Sequence, residues 1–584
     1  MNIFFKASLV ILFVTNTKSS DLSEVLQEEI TKYVENGESA NVTKVIELLF
    51  DSLKDDHTNN NAYCVSCRVV ANTAIAMRKS GADKPTLGDF ITNMCKLFSF
   101  SGAKTCEGLI DISLNSWLYI IDNKNVTGER ICSIRLQKRN CQDFTYVPWN
   151  INIPEGKSKI LLKDNIVQVK KILQLTDVHY DPLYKPGSNA NCGESVCCET
   201  VNGIPRSIDD AAGYWGDYHV CDMPWHSIQN VMEDIRNKHP DIERVYFTGD
   251  IIGHQTWATS VEGNSKTIRT FMQNMKQTFG DTPVYPILGN HEPHPVDLFP
   301  PLDTEEDISM QWLYEVIAEE WTQWLPKETK KTIRKGGYYS VLVKPGFRII
   351  GINSNVCFTN NAWLVFDDRD PLGQLQWLAD ELFEAEKNDE VVHILSHVPP
   401  GDDECMTQWS HEFKRIIERF HGIISGQFNG HTHLDELKVF YAPNDNDRVI
   451  NVAFNGGSVT TFVGFNPNYK IYYVGEQNQM VDYELWTYDL LQANNNTTPN
   501  WYKLYSFKKD FKLEDLNFNS FHNLLKRMSV DDSLLEKYQR FRVRNSSIIM
   551  QQPYDKEFLN NLHCDITSVE YKIPKQCKNF SRLS

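Results

Sequence analysis

Ile172-Leu-Gln-Leu-Thr-Asp177-Val-His179 is an apolar, β-prone run that stops on a carboxylate and an imidazole. Four later segments repeat the pattern. Val245-Tyr-Phe leads into Thr248-Gly249-Asp250, Pro286-Ile-Leu into Gly289-Asn290-His291-Glu292, Val392-His-Ile-Leu into Ser396-His397-Val398-Pro399-Pro400, and Ile423-Ile-Ser-Gly-Gln-Phe-Asn into Gly430-His431-Thr432-His433. Short apolar runs bounded by polar clusters read as buried strands, here 169–175, 244–247, 284–288, 347–352, 391–395 and 422–424. Helical patterns at 228–238, 265–279 and 375–388 separate several of them. Such alternation predicts an α/β sheet whose ligands gather at the carboxyl ends of the strands.

The side chains at those ends are Asp177, His179, Asp250, Asn290, His397, His431 and His433. They offer hard oxygen and borderline nitrogen donors without a cysteine, a set suited to divalent cations. Seven donors exceed one four-coordinate zinc site but serve two if a carboxylate bridges, and Asp250 is the natural bridge. Glycines before Asp250, Asn290 and His431 are expected to permit sharp strand-to-loop turns. His291, beside Asn290, is placed to protonate a leaving alkoxide; His254, four residues past Asp250, is the second candidate. His294, His393, His411 and His421 have no chemical role in this reading.

The 584 residues carry 59 Lys and Arg against 76 Asp and Glu, a net charge of −17. That balance disfavours a nucleic-acid partner, whose phosphates want a basic surface. At roughly 150 residues per domain the length implies a large domain with one or two smaller ones. Residues 1–20 have the shape of a signal peptide, their apolar stretch being too short to span a bilayer. Fourteen cysteines, an even number, and the sequons at Asn41, Asn125, Asn495, Asn496, Asn545 and Asn579 agree with an exported glycoprotein. Protonating most of the 16 histidines near pH 5 would cancel much of the negative charge and ease approach to an anionic membrane.

Six cysteines, Cys64, Cys67, Cys95, Cys106, Cys132 and Cys141, fall among helical patterns at 62–80, 86–100, 105–121 and 128–138. Fifteen pairings are open to six cysteines. The layout resembles the saposin family, which implies Cys64 with Cys141, Cys67 with Cys132, and Cys95 with Cys106. A proline-bearing stretch at 146–157 reads as a linker. Helical patterns return at 516–528 and 531–542.

The ordered blocks Asp-x-His, Gly-Asp, Gly-Asn-His-Glu, His and Gly-His-x-His resemble the calcineurin-like metallophosphoesterases. That resemblance implies Asp177, His179, Asp250 and His433 around one metal, and Asp250, Asn290, His397 and His431 around the other. Purple acid phosphatases carry a tyrosine three residues after the bridging aspartate, where this chain has Gly253. Two Zn2+ ions therefore fit better than iron, with a metal-held hydroxide as nucleophile. Saposin-like helices ahead of such a domain resemble the acid sphingomyelinase family, as do residues 174–182, His254 with Trp257, and residues 373–378.

The family resemblance implies disulfides Cys192–Cys197, Cys198–Cys221, Cys357–Cys405 and Cys564–Cys577. It also implies a secreted or lysosomal phosphodiesterase acting on sphingomyelin in membranes or lipoproteins, with a secreted enzyme for nucleotides or other soluble phosphoesters as the alternative. The expected architecture is a signal peptide at 1–20, an all-α saposin B-like domain at 60–143 that meets membrane surfaces, and a linker at 144–168. A metallophosphoesterase β-sandwich flanked by helices follows at 169–510 and a C-terminal helical subdomain at 511–584, the whole as a monomer.

Overall fold

A computed structural model describes residues 60–98, 102–161, 168–496, 498–551 and 554–572. The signal-peptide reading, Asn41, Asn579 and Cys577 lie outside the described residues. The chain divides into two compact units, Met1–Phe100 with Leu114–Tyr146, and Ser101–Ser113 with Val147–Ser584.

In the first unit the helices Asn60–Lys79 and Lys84–Phe98 join around Ala74, Met77, Leu87, Phe90 and Met94, whose spacing puts them on facing apolar stripes. Thr127 caps the helix Gly128–Arg135 by accepting from the Arg130 amide at 3.2 Å. Cys64–Cys141 and Cys67–Cys132 close this unit. Cys95, Cys106 and Cys564 are also disulfide-bonded. In the second unit the pairs are Cys192–Cys197, Cys198–Cys221 and Cys357–Cys405, again those the family resemblance implies.

The second unit is built on two six-stranded sheets. The first contains β1 (Lys170–Leu175), β2 (Ile242–Phe247) and β3 (Val284–Pro286), mutually parallel, extended by antiparallel β10 (Asn468–Val474), β11 (Met480–Thr487) and β12 (Tyr502–Ser506) in the order β12-β11-β10-β1-β2-β3. The second has β4 (Tyr339–Lys344), β5 (Phe347–Gly351), β6 (Val391–Leu395), β7 (Ile424–Asn429), β8 (Leu437–Ala442) and β9 (Asp445–Asn455) in the order β4-β5-β6-β7-β9-β8, of which β5, β6, β7 and β9 run parallel.

The inner faces of the sheets meet through Tyr246, Phe428 and Tyr472, and through His393, which hydrogen-bonds the Tyr246 hydroxyl at 2.7 Å and the Asn478 carbonyl at 2.8 Å. His393 is thus a core residue, buried completely. The helices Phe518–Val530, Asp532–Arg542 and Lys556–Thr567 belong to this same unit. The Tyr538 hydroxyl accepts from the Leu437 amide at 3.0 Å, and Lys438 donates to the Asp565 carbonyl at 3.2 Å.

Seven of the twelve strands depart from the sequence reading. The run assigned to 422–424 is the turn leading into β7, whose Gln427 and Asn429 look like a polar cluster yet are buried. Strand β4 and strands β8 to β12 were not anticipated; β8 to β11 carry polar side chains that the sandwich buries, Lys438, Asn451, Lys470 and Glu484 among them, whereas β4 and β12 are short and largely exposed or half-buried. Lys470 in β10 is one, wholly enclosed and paired with Asp435 at 2.8 Å while donating to the Asn455 carbonyl at 3.0 Å. Breaking a buried pair leaves an uncompensated charge. Lys470→Met should therefore lower unfolding stability by about 3–5 kcal/mol, read from denaturant melts of the full chain. A loss below about 1 kcal/mol, the scale of an exposed pair, would show that this ion pair is not structural.

Candidate metal centre

All seven predicted donors converge. Asp177 and His179 follow β1, Asp250 follows β2, Asn290 follows β3, His397 follows β6, and His431 with His433 follow β7, so every one leaves the carboxyl end of a parallel strand. Five of them, Asp177, His179, Asp250, His431 and His433, hold φ between 44° and 76°. Left-handed backbone is uncommon outside glycine and persists where surrounding structure enforces it.

Two groups of donors share Asp250. On one side His179 Nε2 lies 3.0 Å from His433 Nε2 and 3.4 Å from Asp250 Oδ2, and Asp177 Oδ1 lies 3.5 Å from His433 Nε2. On the other, His397 Nε2 is 3.1 Å from both Asp250 Oδ2 and Asn290 Oδ1, and His431 Nδ1 is 2.9 Å from Asn290 Oδ1.

The partners behind these atoms fix their roles. His179 Nδ1 donates to the Ile252 carbonyl at 2.8 Å and His397 Nδ1 to the Thr248 carbonyl at 2.7 Å, which leaves each Nε2 a lone pair. The Asn290 amide donates to Asp297 at 2.9 Å and so presents its oxygen. His431 points Nε2 at Glu404, 3.2 Å away, and presents Nδ1. Acceptors at such separations repel unless a cation lies among them. Ligands about 2.0–2.2 Å from one ion sit roughly 3–3.6 Å from each other, the spacing seen here.

The electrostatics agree with this donor set. Burial and neighbouring imidazoles push His179 and His433 well below the ordinary histidine range, keeping both neutral. Burial opposes ionisation of Asp250, but the surrounding histidines, His397 foremost, hold its carboxyl well below the usual range. Burial would lower His397, yet Asp250 carries it up to about 9, so positive charge is favoured between the two. A divalent cation supplies that charge in place of a proton.

The glycines work differently from the sequence reading. Gly249 does hold a left-handed φ of +97°. Gly289 is needed for space, since a Cβ there would stand 2.0 Å from Asp250 Oδ1.

His291 and His254 flank the donors, their rings 4.7 Å apart and 4.7 and 4.0 Å from the His179 ring. His291 Nδ1 lies 3.2 Å from the Gly253 carbonyl. His254 Nδ1 reaches the Asp222 carboxylate at 2.7 Å, while Phe462 stacks on its ring at 3.9 Å.

Sequence reasoning missed the groups that hold this centre together. Glu292 accepts from the amides of Gly289, Asp250 and Ile251, joining the turns after β2 and β3; burial and the nearby Asp250 raise its carboxyl to about 7. Arg544, fully buried, donates to the His433 carbonyl and to the Asn466 carbonyl at 2.9 Å. Glu404 belongs to an acidic cluster visible after Pro399-Pro400-Gly401, whereas Asp222 and Arg544 carry no local signal.

Comparison with known proteins matches residues 170–435 to the family described as Calcineurin-like phosphoesterase and 449–577 to the Acid sphingomyelin phosphodiesterase C-terminal region. The sphingomyelin phosphodiesterase of Bos taurus is 33% identical over 488 residues, covering 82% of this chain and 78% of its own. Sphingomyelin phosphodiesterase 1 of Caenorhabditis elegans is 33% identical, with 87% and 92% covered. Among solved structures, a dimetal phosphatase from Danio rerio aligns at 12% identity and a TM-score of 0.34, over 57% of this chain and 99% of its own.

Histidine ligands are oriented by the acceptor on their far nitrogen, and removing such a partner costs about 10–100-fold in metal affinity. Glu404→Gln should weaken metal retention by about that factor in competition with a chelator. Unaltered retention would exclude Glu404 from orienting His431.

Proposed function

The chain belongs to the acid sphingomyelinase family, and from that premise we propose that it hydrolyses the phosphodiester of sphingomyelin, releasing ceramide and phosphocholine, with two zinc ions as cofactors. The observation that carries the reading is the convergence of Asp177, His179, Asp250, Asn290, His397, His431 and His433 in two groups about one carboxylate.

Paired divalent cations supply an activated water and neutralise charge on the phosphoryl group. Asp250 serves both groups, while Asp177, His179 and His433 complete one and Asn290, His397 and His431 the other. No serine or cysteine nucleophile is needed.

The leaving ceramide alkoxide needs one proton; His291, whose Nδ1 faces the Gly253 carbonyl, is the first candidate to give it from Nε2, and His254, whose Nδ1 faces Asp222, is the second. Asp222 fixes the His254 tautomer by accepting from Nδ1. Glu292, Glu404 and Arg544 hold the donor-bearing turns in place, which matters because displacement of about 1 Å costs about 10²-fold in rate.

Residues 60–143 act in this proposal as a saposin B-like module whose amphipathic helices loosen lipid for a domain at 169–510, with 511–584 as its C-terminal part. The helices of the first unit and its two disulfides support that reading. The setting is extracellular or lysosomal. No described helix is long and apolar enough to cross a membrane, and the sequons at Asn125, Asn495, Asn496 and Asn545 are exposed for glycosylation.

Turnover of sphingomyelin vesicles should be abolished by a chelator and restored by Zn2+. His291→Gln and His254→Gln should each lower kcat by about 10²-fold or more, with metal content intact. Cleavage of a nucleoside triphosphate or bis(4-nitrophenyl) phosphate without sphingomyelin turnover would point to the soluble-phosphoester alternative.

A further inference from the structure

A loop between β1 and the helix Trp225–Lys238 leaves the metal centre and returns to it. It departs after His179, and Met223 closes it by donating from its amide to the His179 carbonyl at 2.9 Å. Asp222, at its end, binds His254, and Glu199 within it accepts from Gln255 at 2.7 Å. Two disulfides, Cys192–Cys197 and Cys198–Cys221, staple it over a small core of Ala190, Ala212 and the buried cysteines.

From this scaffold one excursion projects. Asn189 donates from its amide to the Gly203 carbonyl at 3.2 Å and Ala190 to the Asp210 carbonyl at 2.8 Å, pinning both ends of the stretch between. That stretch reads Ile204-Pro-Arg-Ser-Ile208. Ile204 is 91% exposed and Ile208 88%, more than any other large apolar side chain among the described residues, and Val201 beside them is 72% exposed. Arg206, between the isoleucines, is exposed and makes no ion pair among the described residues, and Asp209 beside Ile208 is exposed as well. Asp210 below is occupied by Asn191 at 3.0 Å and Ser207 at 2.8 Å.

Apolar tips around a free cation on a braced scaffold match the chemistry of a bilayer interface, where aliphatic side chains enter the acyl boundary and arginine stays with lipid phosphates. We propose that Val201, Ile204 and Ile208, with Arg206, form a bilayer-docking tip on the catalytic unit itself, which seats the metal centre on the surface that carries its substrate. The inference rests on the lipid-hydrolase reading for its purpose. Its geometry is that of a rigid loop, both of whose ends are tied to the catalytic site, so docking at the tip positions that site against the membrane.

The full-length protein, Ile204→Asp/Ile208→Asp and Ile204→Leu/Ile208→Leu are compared in three assays. These are co-sedimentation with phosphatidylcholine vesicles, turnover of sphingomyelin in vesicles, and turnover of bis(4-nitrophenyl) phosphate. The aspartate variant should lose about tenfold or more in both vesicle assays and keep the soluble reaction, and the leucine variant should behave as the parent. Undiminished sedimentation of the aspartate variant would overturn the proposal. So would an equal loss on the soluble diester, which would make the tip part of the catalytic architecture. A change in the protein's own mass by analytical ultracentrifugation, with vesicle binding intact, would assign the tip to contact between copies of the chain. Because sedimentation uses vesicles without sphingomyelin, failure of the proposed reaction would show separately, as absent turnover by a parent protein that still binds.

Discussion

Two carboxylates and four imidazoles, nearly all withdrawn from water, face one another with their lone pairs inward, and positive charge must be placed among them for the arrangement to be stable. Asp250 is the pivot. Its Oδ2 lies 3.4 Å from His179 Nε2 in one donor group and 3.1 Å from His397 Nε2 in the other. Buried acceptors at this density are costly unless paired or coordinated. The five left-handed backbones at Asp177, His179, Asp250, His431 and His433 are part of the same cost.

That strain is held by one residue inside the motifs and by a part of the chain far from them. Glu292 ties together the turns after β2 and β3 through three amides. Arg544, beyond the last predicted helix of the 531–542 pattern, reaches back across the unit to the His433 carbonyl, stacking over Phe465 at 4.4 Å on the way. The C-terminal segment thus supports the loop that delivers a donor, which gives a physical reason for it to share a compact unit with the sandwich rather than fold apart from it.

Five of the donors were legible in sequence because they stand at the abrupt end of an apolar run, where chemistry-bearing residues have no packing excuse; His431 and His433, after the polar end of β7, were legible from the Gly-His-x-His spacing instead. Strands β1, β2, β3, β5 and β6 were legible from their apolar runs. Strands β9, β10 and β11 were not, since Asn451, Lys470 and Glu484 break their apolar pattern and only the finished sandwich supplies partners for them. The supporting acids divide in the same way. Glu404 lies in an acidic cluster that composition can flag, but Asp222 follows a half-cystine and becomes meaningful only when the loop brings it to His254. The glycine reading was right at Gly249, where φ is positive, and incomplete at Gly289, where the Asp250 side chain needs the space.

Anomalous scattering from crystals of the purified protein, collected at and below the zinc edge, tests the central claim most directly. Two zinc peaks flanking the Asp250 carboxylate, about 3.5–4 Å apart, one beside His179 and His433 and the other beside His397 and His431, are the predicted result. A lone ion, or none, after the protein has been equilibrated with zinc would contradict a shared two-cation centre.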